Sequence, residues 1–390
     1  MSQKPDPTLI APPVGLYVHM PWCVQKCPYC DFNSHSLRSD LPESVYIEAL
    51  VQDLEHEKIR LGSRQITSLF IGGGTPSLFS SGSISQLLQH IQQTVSCSST
   101  MEVTLEANPG TVEYAKFQGY FDAGINRLSI GVQSFCDSQL KQLGRIHDSQ
   151  SAIKAIDAAH HAGFVNFNTD LMFGLPGQTI QSAVADVQQA IALNPSHISH
   201  YQLTLEPETP FYYSQPVLPK DDDIWAMQLA CSERLKDNGY QQYEVSAWAK
   251  DDHCCQHNQN YWEFGDYIGI GAGAHGKLTD LETQQIIRCW KLKNPRQYID
   301  SLQDSHAIDG ITVIEKTDRA FEFMMNYLRL KDGFQLGQFS QRTGLTIDML
   351  EPALSQCVDD NLLFRSNHKI RCTEHGWRYL DSILEQFLPA

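Results

Sequence analysis

The sequence predicts an α/β protein: a partial (β/α)6 barrel followed by a smaller, winged-helix-like C-terminal domain. Three observations predict it. Apolar strand-like runs alternate with helical stretches about six times from Leu16 to Pro207, the rhythm of a parallel sheet with helices outside it. Glycine-rich or polar segments follow the strands, where a parallel barrel carries its active site. From about Glu315 the pattern changes to helices and then a β-ribbon.

The elements follow in order. LYVHM (Leu16–Met20) is a strand and runs into a cysteine-rich loop. Pro42 to Arg60 has helical spacing of apolar residues. Ile66 to Phe79 is a buried strand that ends in GGGTPS; Ile84 to Val95 is helical. MEVTLEANPG (Met101–Gly110) is a strand ending in a turn signal, followed by a helix over Tyr114 to Ala123. INRLSIGVQSF (Ile125–Phe135) is a strand and Ser149 to Ala162 a helix. FVNFNTDLMFGLPGQ (Phe164–Gln178) is a strand with a Gly-Pro-Gly loop, then Ile180 to Leu193 is helical and His197 to Pro207 is a strand. YIGIGAGAHG (Tyr267–Gly276) is an apolar glycine run that closes the barrel edge; it lacks the lysine of a phosphate loop. The division is a flexible leader over 1–14, the barrel and its extension over 15–310, and the C-terminal domain over 311–390.

Composition narrows the function. The formal net charge is −16, which disfavours binding to a phosphate backbone. The C-terminal domain has nine Lys/Arg against eleven Asp/Glu, so its winged-helix pattern reads as a docking module rather than a DNA reader. No apolar run is long enough to span a membrane, and the N-terminus does not read as a signal peptide, so the expected location is cytoplasmic. The eleven cysteines are odd in number and irregular in spacing, as expected of reduced thiols.

WCVQKCPYC (Trp22–Cys30) places Cys23, Cys27 and Cys30 in one loop. Cys27 and Cys30 suit a redox pair. A zinc site would need a fourth ligand, from His19, Asp31 or His35. Three thiolates also suit an iron–sulfur cluster with one open iron corner. The C-x3-C-x2-C spacing after a first strand resembles the signature of the radical S-adenosylmethionine (radical SAM) enzymes. That resemblance implies a 4Fe-4S cluster on Cys23, Cys27 and Cys30, with S-adenosylmethionine chelating the fourth iron. The mouth suits such a cofactor. Tyr29 can pack against an adenine, and Gly72, Gly73, Gly74 and Thr75 allow close backbone approach. Glu106, Gln133 and Asp170 suit a ribose and an amino group, and Arg145 suits a carboxylate.

Together, YVHMPWCVQKCPYCDFNSH, GGGTPS, EANPG, GVQSF, DLMFGLPGQ and the C-terminal pattern resemble the oxygen-independent coproporphyrinogen III oxidase-like radical SAM family, and within it the HemW-type heme chaperones. The resemblance covers the chain from Gly15 onward. It implies S-adenosylmethionine contacts at Tyr17, Gly73, Gly74, Thr75, Glu106, Gln133, Arg145 and Asp170. Two departures separate the chain from the oxidases: Phe32 stands where they carry a fourth cysteine, and only 22 residues precede Cys23.

HNQNYW (His257–Trp262) resembles the HNxxYW motif of the heme chaperones. A heme site needs a neutral imidazole and aromatic walls. His257 suits the first, Tyr261 and Trp262 the second, and Asn258 suits a ligand or a propionate. The neighbouring His253, Cys254 and Cys255 leave a thiolate ligand or a zinc site open. The expectation is a heme chaperone with a 4Fe-4S cluster and S-adenosylmethionine, an unidentified hemoprotein acceptor and a homodimeric state suggested by the family. Whether it is also an enzyme stays open. The alternatives are a radical SAM porphyrinogen oxidase, which decarboxylates coproporphyrinogen III, and a radical modifier of tRNA or protein.

Overall fold

The computed structural model describes residues 7–111, 114–302 and 307–389. β1 (Val14–Met20) leads into the cysteine loop, whose ends are pinned by a short parallel pairing of β2 (Trp22–Cys23) with β3 (His35–Ser36). α1 (Glu43–Leu61), β4 (Ile66–Gly73), α2 (Ser81–Thr94), β5 (Cys97–Ala107) and α3 (Tyr114–Ala123) follow. Next come β6 (Arg127–Gln133), α4 (Asp137–Gln142), α5 (Ser149–His161), β7 (Phe167–Phe173), α6 (Ile180–Ala192) and β8 (His197–Gln202). Ser80, Asp148 and Thr179 cap α2, α5 and α6 by accepting a first-turn N–H, which fixes where each helix starts.

After α7 (Pro210–Ser214) and α8 (Asp221–Asp237) the chain adds the hairpin β9 (Gln241–Glu244) and β10 (Ala247–Ala249) to one edge. α9 (Gln256–Trp262) then carries it to the other edge, where β11 (Asp266–Ile270) pairs parallel with β1. β12 (His275–Asp280), β13 (Gln285–Lys291) and, after α10 (Pro295–Leu302), β14 (Ile308–Val313) extend that edge antiparallel. The order is β14-β13-β12-β11-β1-β4-β5-β6-β7-β8-β10-β9. β14 and β9 do not pair, so the barrel is open.

Alternation along the strands sorts the two faces. Leu16, Val18 and Met20 of β1 pack outward with Tyr46, Leu50 and Leu54 of α1 in the main core. Gly15, Tyr17 and His19 face the barrel interior, beside Ser68, Phe70 and Glu106.

The C-terminal domain contains α11 (Lys316–Tyr327), β15 (Phe334–Gln335), α12 (Leu336–Thr343), α13 (Ala353–Asp359), β16 (Leu363–Arg365), β17 (Lys369–Cys372) and α14 (Leu380–Glu385). Its sheet runs β15-β17-β16 and covers a second core around Phe323, Tyr327, Phe334 and Phe339. Leu9, Phe264 and Ile286 enter the same core, and Arg288 holds Glu322 through two bonds of 3.1 and 2.8 Å. The domain is thereby fixed to the barrel extension.

Two boundaries differ from expectation. Residues 7–13 are not a loose leader: Leu9 is buried, its N–H donates to Gln284 Oε1 at 2.8 Å, and Ile10 N–H donates to Gln341 O at 2.9 Å. An apolar residue in a proline-rich stretch has little chain entropy to lose on docking. The expected leader residues 1–6 lie outside the described residues. The boundary at 311 falls inside β14, and the C-terminal share of the second core begins at Ile314.

Candidate functional site

The loops after the parallel strands meet around a cavity of about 290 Å³. Its wall includes Cys23, Cys27, Tyr29, Cys30, Gly73, Gly74, Thr75, Glu106, Gln133, Arg145 and Asp170, so residues from six segments converge there. The three thiols line the cavity without meeting at a point. Cys27 Sγ lies 3.7 Å from Arg145 Nη1, and Cys30 Sγ lies 3.9 Å from Ser34 Oγ. Among the described residues, no three His, Cys, Asp or Glu side chains form a cage for a single metal ion, here or beside His253, Cys254 and Cys255. A polynuclear cluster asks for something different, since each thiolate meets a different iron. Burial pushes the Cys23 and Cys30 thiols up, so a bound cation is needed to hold them as thiolates. The donor set fits a cluster better than zinc.

The glycines have a local reason as well. Gly74 N–H donates to Met20 O at 2.7 Å and Thr75 N–H to Trp22 O at 2.8 Å. A Cβ on Gly73 would sit 2.5 Å from His19 Cε1, and its φ of 113° excludes most side chains. The triple glycine thus lets β4 end directly beneath the cysteine loop. Gly73 N–H also donates to Glu106 Oε2 at 3.1 Å; a Cβ on Gly72 would crowd Phe70 and Glu106.

Glu106 and Asp170 are two half-buried carboxyls on this wall. Burial, reinforced by Asp170, pushes Glu106 up to about 8; burial also raises Asp170. Such a pair favours a ligand that brings positive charge or hydroxyl donors. Arg145 is half-buried, donates to Gly131 O at 2.7 Å, and leaves its buried Nε without a partner. Gln133 ends β6 at a φ of 70° and accepts from Tyr201 OH at 2.8 Å. Tyr29 sits on an apolar cluster with Phe211, ring centroids 6.4 Å apart.

A second cavity, of about 700 Å³, adjoins the first and shares Phe32, Ser34, Gly73 and Glu106 with it. Tyr17 lines this cavity rather than the first, together with His19, Phe70, His257, Asn258, Tyr261, Tyr267 and His275. His257 is fully enclosed. Its Nδ1 lies 3.0 Å from Ser68 Oγ, and its Nε2 has no partner. Phe70 stacks at 5.2 Å and Tyr261 meets the ring edge-on at 5.0 Å. Burial, with Arg127 adding to it, lowers the imidazole to about 3, so it is neutral at physiological pH. Trp262 lies elsewhere. It follows His257 by five residues on α9, about 140° around the helix, and packs into the second core under the Arg329 guanidinium at 4.3 Å.

A chain of polar groups leads from Asp170 toward the start of α9. Asp170 accepts from Asn168 Nδ2 at 2.8 Å, and Asn168 Oδ1 is 2.7 Å from His197 Nδ1. His197 Nε2 is 2.9 Å from Tyr243 OH, which accepts from Cys255 N–H at 3.2 Å, at the start of α9. Cys255 Sγ faces Glu102, not the cavity, which removes it as the expected alternative ligand there. Ser68, Tyr201 and Gly15 belong to the sites although sequence reasoning passed over them. A Cβ on Gly15 would lie 3.1 Å from His257 Cε1. Their signal was the interior phase of the strand alternation.

The model of the Radical SAM superfamily matches residues 17–190, and that of the HemN C-terminal domain matches residues 314–379. Heme chaperone HemW of Haemophilus influenzae is 48% identical over 381 residues, covering 97% of this chain and 98% of that protein. The chain belongs to the HemW family. Heme chaperone HemW of Escherichia coli (strain K12) is 46% identical over 382 residues, with 97% and 98% covered. Coproporphyrinogen III oxidase (HemN) from Escherichia coli, a radical SAM enzyme, shares the fold. It has a TM-score of 0.82 at 22% identity and covers 97% of this chain and 90% of that one. The HemW family therefore joins a radical SAM barrel to a HemN C-terminal domain, the two units described above. No described helix is long and apolar enough to cross a membrane.

Proposed function

We propose that the chain is a heme chaperone: it binds heme in the second cavity, with His257 Nε2 on the iron, and passes it to an acceptor protein. The observation that carries this reading is a buried, neutral imidazole with one nitrogen fixed by Ser68 and the other unpartnered within an aromatic cavity. With Nδ1–H donating to Ser68 Oγ, the Nε2 lone pair would be free for a metal. The names of the relatives at 46 and 48% identity point to the same cargo.

Cys23, Cys27 and Cys30 would hold a 4Fe-4S cluster, and S-adenosylmethionine would lie in the first cavity. Bound there, the pair supplies one-electron chemistry. The chain's own residues do the positioning. Glu106 and Asp170 would receive the amino group and the ribose hydroxyls, Gln133 a further polar group, and Arg145 the carboxylate. Tyr29 gives the adenine an apolar face. The two cavities share a wall, so occupancy of the first reaches heme through Phe32, Gly73 and Glu106. A cytoplasmic location and a dimer fit the same reading.

Anaerobic titration of the cluster-loaded protein with heme, followed by absorbance, tests it. Saturable one-site binding that weakens at least tenfold in His257→Ala, with iron and sulfide content unchanged, is the expected result. Equal binding by both proteins, or turnover of coproporphyrinogen at catalytic rates, would overturn it.

A further inference from the structure

The second cavity carries a charge pattern that the rest of the molecule does not prepare for. The chain has a net charge of −16, yet Lys26 and Lys293 both stand on this cavity; burial lowers His19, His35 and His275 beside them, so the two lysines carry its positive charge. Its acidic residues are Asp31 and the largely protonated Glu106. The two lysines come from distant segments, the cysteine loop and the turn after β13, and the fold clamps these together. Asn33 Nδ2 donates to Ala272 O and to Lys293 O, both at 2.9 Å, while His19 Nε2 lies 2.8 Å from Asn33 O. Lys26 Nζ donates to Phe32 O at 2.9 Å, which holds its head at the rim. Among the described residues, neither lysine belongs to an ion pair.

We infer that Lys26 and Lys293 form a carboxylate-binding rim, and that they receive the two propionate groups of the heme whose iron meets His257. The inference rests on the reading that heme occupies this cavity. A flat macrocycle with one acidic edge needs its apolar body among aromatic side chains and its carboxylates at a cationic, hydrated rim. Phe70, Tyr261 and Tyr267 supply the first and the two lysines the second. Lysine suits this duty in a carrier: a hydrated point charge holds a carboxylate loosely, where an arginine fork would grip it at two points. Lys26 has a competing role, because its charge also favours the Cys30 thiolate. Lys293 has none with the cysteines, so the two are separable.

The test compares heme with heme dimethyl ester, whose carboxylates are blocked, in anaerobic absorbance titrations at low and moderate salt. The proteins are the cluster-loaded wild type, Lys293→Gln, the double variant Lys26→Gln/Lys293→Gln, and His257→Ala. Heme affinity should fall about threefold in Lys293→Gln and about tenfold in the double variant, less so at higher salt. The ester should bind wild type about as weakly as heme binds the double variant, and should not respond to either lysine. An ester that binds wild type as tightly as heme does would overturn the rim, as would lysine substitutions that weaken both ligands equally. His257→Ala should weaken both ligands alike. If it weakened neither while the lysine effect persisted, the iron assignment would fall and the carboxylate rim would stand.

Discussion

Glu106 shows how a single residue records what its cavity is for. Its carboxyl is held at about 8 by burial and by Asp170, against about 4.3 in an unfolded chain. Between those values the folded chain keeps a proton that the unfolded chain releases. Stability from this group is therefore present below about pH 4.3 and is lost as pH rises to about 8, at no more than about 1.4 kcal/mol per unit. Glu106→Gln should gain in Tm on the wild type, step by step, from pH 5 to pH 8, then level off. A pH-independent difference in thermal scans would contradict this. Ser68 makes a second point at the same scale. Its hydroxyl, 3.0 Å from His257 Nδ1, occupies one ring nitrogen and leaves the other, Nε2, without a partner. Ser68→Ala should weaken heme binding about tenfold without altering the fold; unchanged affinity by absorbance titration would show that the imidazole orients itself.

The elements fix these residues in place, and not all of that is written plainly in the sequence. The parallel strands β1 and β4–β8 were legible because each is an apolar run bounded by a turn signal. The loops after them were legible because Gly, Pro and Cys cluster there. The antiparallel edges were not. β9, β10 and β12–β14 are short and mixed in polarity, and their partners set them more than their own pattern does. That blind spot includes the buried charge cluster tying this edge to the barrel. Lys291 Nζ bonds Asp53 Oδ1 at 2.6 Å and Glu57 Oε1 at 2.7 Å, and Asp53 also accepts from Tyr298 OH and Gly271 N–H. Lys291 thus joins β13 to α1 and steadies the turn behind the second cavity. Lys291→Ala leaves buried Asp53 without its cation, while Glu57 keeps Arg60 at 2.8 Å, and should cost about 3–5 kcal/mol in denaturant unfolding. A loss below 1 kcal/mol would mean that the edge is held by packing instead.

At the scale of the whole molecule, one open barrel carries two adjoining cavities under a single cysteine loop. Strand-end positions and the family resemblance pointed to Cys23, Cys27, Cys30, Glu106, Gln133, Arg145 and Asp170, and all of them line one cavity. They could not say that Tyr17 belongs to the other space, since only the register of β1 against β4 and β11 decides that. Nor could they separate His257 from Trp262, which α9 turns toward different domains. Leu9, ahead of β1, likewise took its place from a core built mostly beyond residue 314.

The central claim is that His257 is the iron ligand, and cavity complementation tests it most directly. His257→Gly removes the ring and leaves Ser68, Phe70 and Tyr261 around the gap. The account predicts that heme bound to this variant has an altered absorbance spectrum, and that added imidazole restores the wild-type spectrum and affinity. A variant whose spectrum already matches wild type, or one that imidazole leaves unchanged, would contradict it.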